Sequence, residues 1–122
     1  MTDPVLDPAA LRNLLDITGG DLEFVDELVD TYLDDAVVQL DAMRAAATAG
    51  DADALVRPAH SLKSSSANVG AMSLAEACRS LEADGRSGSV PDAAERVAGC
   101  ETTFASVQTA LLAERAGRGD GA

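Results

Sequence analysis

Phe24, Val25, Leu28, Val29, Tyr32, Leu33, Val37, Leu40 and Met43 recur mainly at three- and four-residue steps, while Glu23, Asp26, Glu27, Asp30, Asp34 and Asp35 fill the positions between them. That pattern is a long amphipathic helix with one apolar stripe and one acidic face. No alternating run of β-branched residues offers a strand anywhere in the chain, and aromatic residues make up only 2% of it. The stripe must therefore be covered by other helices. Short connections between helices favour antiparallel neighbours, so the expected fold is all-α, an antiparallel up-and-down four-helix bundle with a short additional N-terminal helix.

The remaining helices follow from their start and stop signals. Asp7 and Pro8 open a short first helix carrying Leu11, Leu14 and Leu15, which Gly19 and Gly20 stop. The long helix starts after Asp21 and ends near Gly50. A third runs from about Ala52, behind an Asp51 cap, to about Val69, with Gly70 closing it. Pro58 lies inside that span and removes the bond to the Ala54 carbonyl, so a kink or a helix start is expected there. A fourth helix from about Ala71 to Asp84 presents Leu74, Ala77, Cys78 and Leu81, and residues 85–89 read as a flexible turn. The last begins near Val90 and places Val97, Cys100, Phe104, Val107 and Leu111 at helical spacing. Residues 1–6 read as an N-terminal tail, 7–115 as the folded domain and 116–122 as a disordered tail.

Length and charge narrow the function. A chain of 122 residues fits one domain with one core, and a formal charge of -12 disfavours nucleic acid and anionic membranes as partners. Proteins are the expected partners. With neither a basic leader followed by an apolar stretch nor a membrane-length apolar run, the protein is expected to be cytoplasmic. Cys78 and Cys100 have no CxxC partner or accompanying histidines, so they read as reduced, semi-buried hydrophobes rather than as a disulfide. The carboxylates of the long helix read as a solvated face, since no histidine or fixed ligand spacing accompanies them.

His60 is the only histidine. On a wheel of about 100° per residue, Leu55, Ala59, Leu62, Ser66 and Val69 share one stripe and His60 lies roughly 130° from its centre, facing out. An exposed neutral imidazole can attack phosphorus or carbon, or bind a metal. One turn away on its face stand Val56, Arg57, Lys63 and Ser64. Two cations and no second histidine make a poor metal site, so none is expected. They suit a phosphoryl group, whose oxygens the Lys63 ammonium can stabilise, while the small Ser64 and Ala67 leave room for a partner's backbone. A lone surface histidine is nonetheless most often only surface.

The longer segment from Ala59 through His60, Leu62, Lys63, Ser65, Ser66, Gly70 and Ala71, followed by Leu74, Cys78, Leu81 and Glu82, resembles the histidine-containing phosphotransfer (HPt) family. The resemblance extends upstream through Gly19-Gly20-Asp21 and Ala49-Gly50-Asp51, and covers about residues 7–113. It implies a four-helix bundle in which His60, through Nε2, takes a phosphoryl group from a receiver-domain aspartate and passes it to another. Lys63 then matches the family's phosphate-neighbouring lysine and Gly70 its helix-terminating glycine, a role that needs nothing beyond ending the helix. Glu82 matches a glutamate that accepts a hydrogen bond from the imidazole in chemotaxis-type kinases; the alternative is a surface carboxylate paired with Arg79 or Arg86. Arg57 divides in the same way between phosphoryl contact and solvated charge. The chain departs from the family at Ser64, where glycine is usual, which adds bulk where a partner approaches.

The expected function is a reversible phosphoryl relay without kinase activity of its own, since no glycine-rich nucleotide loop or Walker lysine is present. No cofactor is expected, Mg²⁺ coming with the receiver. Partners are response-regulator receiver domains and a hybrid histidine kinase, docking around Val56, Ser64, Ala67, Asn68 and Gly70, and the protein is expected to be monomeric. Three alternatives remain open: an adaptor that binds receivers without carrying phosphate, a phosphoacceptor piece of a hybrid or chemotaxis-type kinase, and a thiol sensor using Cys78 and Cys100. Core placement of both cysteines disfavours the last.

Overall fold

Three aspartates start three helices by capping free backbone N–H groups. Asp7 Oδ1 accepts from Ala9 at 2.9 Å, Asp21 Oδ1 from Phe24 at 3.0 Å and Asp51 Oδ1 from Ala54 at 3.1 Å. The computed structural model describes residues 6–120, apart from the side chains of Pro8, Leu11 and residues 115–120. It contains α1 (Pro8–Ile17), α2 (Leu22–Ala49), α3 (Ala52–Asn68), α4 (Met72–Ser87) and α5 (Ala93–Asp120), with no strand among the described residues. Helices α2 to α5 form a closed bundle in which each packs on the next and α5 returns against α2, while α1 lies against α2.

The boundaries differ from the sequence expectations in four places. Helix α4 runs to Ser87 instead of Asp84, so Gly85 and Arg86 are helical and only Gly88 turns left-handed, at φ 92°. Helix α5 starts at Ala93, after a turn in which the Ala93 N–H donates to the Val90 carbonyl. It continues to Asp120, past the end expected at 115, with no proline to stop it. Residues 121–122 of the expected C-terminal tail and 1–5 of the N-terminal one lie outside the described residues. Pro58 starts no helix: α3 begins six residues earlier at its Asp51 cap and runs through the proline, whose ring is buried.

The core is aliphatic. Leu55, Ala59 and Leu62 of α3 meet Val29, Leu33, Ala36, Leu40 and Met43 of α2, Leu74 and Leu81 of α4, and Val97, Val107 and Leu111 of α5. The Tyr32 and Phe104 rings meet edge to face with centroids 6.2 Å apart. Two residues assigned to the α2 stripe fall outside it: Phe24 is 44% exposed and Val37 48%. The buried line keeps Val25, as expected, and passes through Ala36 in place of Val37, about 100° round the helix from it. Leu14 and Leu15 of α1 are half-buried.

Cys78 and Cys100 are both free and buried in this core. Pairing with Cys100, reinforced by burial, pushes the Cys78 thiol up, and the same pairing lowers the Cys100 thiol against its own burial.

Candidate functional site

Helices α3 and α4 approach closely at Gly85. A Cβ there would stand 2.8 Å from the Ala52 carbonyl oxygen and 3.0 Å from Val56 Cγ2, so the bare α-carbon is what allows the two backbones to cross at this distance. The close approach carries Glu82, one turn earlier on α4, under the outward face of α3. Its side chain is only 8% exposed, whereas that of His60 is 56% exposed.

Glu82 is shared by three donors. Its Oε1 accepts from Lys63 Nζ at 2.7 Å, and its Oε2 faces His60 Nδ1 at 3.0 Å and accepts from Arg86 at 2.8 Å. The hydrogen bonds from Lys63 and then Arg86, with a smaller share from His60, outweigh burial and pull the Glu82 carboxyl down to about 2. An ionised carboxylate can only accept hydrogen bonds, so the proton facing it sits on Nδ1. In the neutral ring this leaves the Nε2 lone pair free on the side turned away from Glu82. The exposed nitrogen is thus the nucleophilic one. Both readings of Glu82 hold in part: it bonds the imidazole and it pairs with Arg86, while Arg79 pairs with Glu76 instead.

Comparison with known proteins agrees with this geometry. The Hpt domain model matches residues 27–116. The chain belongs to the Hpt domain family. Among solved structures, the Hpt fold here is similar to the histidine-containing phosphotransfer protein B (HptB) of Pseudomonas aeruginosa PAO1, with a TM-score of 0.85 and 35% identity over 93% of this chain and 96% of that one. A search of curated proteins gave no significant match. The protein is accordingly a histidine phosphotransfer protein of a phosphorelay, in a family of phosphoryl carriers that act with receiver domains. No helix among the described residues is long and apolar enough to cross a membrane.

The surface around His60 differs in part from the one expected. Ser64, Ala67 and Asn68 extend along α3 from His60 and are exposed. Val56 is half-buried because α4 lies over it at Gly85. Gly70 is buried and does not belong to a docking face: at φ 82° its missing Cβ would meet Ala10 Cβ at 2.6 Å, and its carbonyl accepts from the Asp7 N–H at 2.8 Å. It is the seat on which α1 starts. Arg57 is exposed and, among the described residues, makes no ion pair or hydrogen bond.

Arg86 was anticipated as a partner of Glu82 but also assigned to a turn, whereas α4 continues through it. Not anticipated from sequence was an apolar cleft of about 390 Å³ beside α3, lined by Leu14, Leu28, Tyr32, Asn68 and Val69 among others. The signal for the cleft was the surplus of leucines on α1 and at Leu28, more apolar surface than the α2 stripe needs.

Proposed function

We propose that His60 is the phosphoacceptor of this relay, with Lys63 stabilising the phosphoryl oxygens and Glu82 orienting the ring. The Nε2 lone pair attacks the phosphorus of a receiver's aspartyl phosphate in line, the N–P bond forms, and the P–O bond breaks with its electron pair going to the receiver's carboxylate. No proton has to leave. The ring keeps its Nδ1 proton and becomes cationic, and the Glu82 carboxylate facing that proton stabilises the charge. Transfer to a second receiver reverses these steps. The observation that carries this reading is the His60 Nδ1 to Glu82 contact at 3.0 Å, which directs Nε2 outward.

Docking is assigned to Ser64, Ala67 and Asn68 together with the neighbouring cleft, whose apolar lining suits a helix of the receiver. Supporting this placement, Asn68 belongs both to the exposed face below His60 and to the cleft rim. The chain acts as a cytoplasmic monomer, supplies no kinase activity and needs no cofactor of its own; Mg²⁺ enters with the receiver's acidic site.

The test is incubation with phosphorylated receiver domains. The expected result is an acid-labile, base-stable phosphate on the wild-type chain that is absent from His60→Gln. Receiver binding with no phosphate gained by the wild type would instead make the protein an adaptor.

A further inference from the structure

Beside His60, one buried carboxylate holds two cations. Glu82 Oε1 takes Lys63 at 2.7 Å, and Oε2 takes Arg86 at 2.8 Å while also facing the imidazole. The two cations are not equivalent. Lys63 is on α3, one turn from His60, so its ammonium can swing between Glu82 and a group on the ring. Arg86 is on α4, one turn from Glu82, so this i,i+4 pair is made within one helix and needs no side chain of α3.

Phosphorylation changes the demand on these cations. A phosphoryl group brings about two negative charges, and the flexible cation on its own helix is Lys63. As the ammonium turns toward the phosphoryl oxygens, its hold on Oε1 weakens. Glu82, with a side chain only 8% exposed, cannot replace that partner with water at little cost, and a buried carboxylate stripped of its cation is strongly disfavoured.

We propose that Arg86 is a positioning residue that keeps Glu82 paired and facing His60 Nδ1 while Lys63 passes from Glu82 to the phosphoryl group. The inference rests on the reading that Lys63 stabilises the phosphoryl oxygens. Arg86 suits the task because its guanidinium offers several N–H donors in a planar fork, and because, 62% exposed, it adds no further buried charge. Without Arg86, Lys63 is the only cation on Glu82 until the ring itself becomes charged, and its departure ahead of that point is opposed.

The experiment uses the full chain phosphorylated with phosphoramidate, a small donor that removes receiver docking from the measurement, followed by phosphorus NMR. Wild type, Arg86→Gln, Arg86→Lys, Lys63→Gln and the Lys63→Gln/Arg86→Gln double variant are compared, with His60→Gln as control. Arg86→Gln is expected to slow phosphorylation about fivefold in the wild-type background and less than about twofold in the Lys63→Gln background, since with no lysine to release the two effects are coupled. Arg86→Lys is expected to restore most of the rate. Equal losses in both backgrounds, or no loss in either, would overturn the proposal. A Lys63→Gln variant as fast as wild type would overturn the assignment of Lys63, and a wild type no better labelled than His60→Gln would overturn the phosphoacceptor reading itself.

Discussion

Nδ1 of His60 and Oε2 of Glu82 stand 3.0 Å apart across the α3–α4 interface, although 22 residues separate them in sequence. The contact joins an exposed ring to a buried anion. It fixes the ring proton on the inner nitrogen and supplies negative charge where the imidazole would become positive in the proposed transfer.

Glu82→Ala removes both functions and leaves Lys63 and Arg86 without their shared partner. The expected result is a fall in phosphotransfer rate on the order of tenfold, the scale of losing one charge-assisted hydrogen bond of about 1.5 kcal/mol, with a smaller fall for Glu82→Gln, which keeps an accepting oxygen. Transfer time courses measure the rate, and nitrogen NMR of the ring should show the proton no longer confined to Nδ1 in Glu82→Ala.

The same carboxylate makes the site acid-sensitive. Because the folded protein holds Glu82 at about 2, below its ordinary range, the stabilisation is fully present above that range. It is lost as the pH falls from the ordinary carboxylate value toward 2. Acid titration of thermal stability should therefore show a decline over that interval that is reduced in Glu82→Gln.

Gly85→Ala places a methyl group 2.8 Å from the Ala52 carbonyl, a backbone atom that cannot rotate away. Overpacking of this kind costs about 1–3 kcal/mol and must separate α3 from α4. Both a lower unfolding temperature and slower phosphotransfer are expected, measured by calorimetry and transfer kinetics. A destabilised variant with unchanged transfer would show that Glu82 tolerates the displacement.

Tyr32 gives the bundle an optical reporter. Burial raises its phenol to about 12, partly offset by the 2.8 Å hydrogen bond with Ser66. Stability from the neutral phenol is present below its ordinary value of 10.0 and lost as the pH rises toward 12. Phenolate absorbance, with only one tyrosine in the chain, should appear near the upper value and coincide with loss of helix.

The legible and illegible parts of this fold divide along the line between local and long-range structure. Asp7, Asp21 and Asp51 act within three residues, so the starts of α1, α2 and α3 could be read directly. The wheel of α3 likewise gave the exposure of His60 and the burial of Leu62, because both depend on one helix. The burial of Glu82 depends on how α4 crosses α3, which no single-helix pattern contains; family resemblance supplied the candidate, and the resting contact of Lys63 with it was not anticipated. Gly85 misled for a related reason. A glycine followed by Arg86, Ser87 and Gly88 looks like a turn, yet it is helical and exists to let a neighbouring backbone approach. Gly70 was read correctly as a helix stop, but its contact with Asp7 and Ala10, 60 or more residues away in the chain, could only appear once α1 was packed.

The most direct test of the account is the chemical identity of the phosphorylated atom. With Nδ1 committed to Glu82, phosphorus and nitrogen NMR of the labelled chain should show a single phosphohistidine, bonded through Nε2 of His60. A phosphoryl group on Nδ1, or on any residue other than His60, would contradict it.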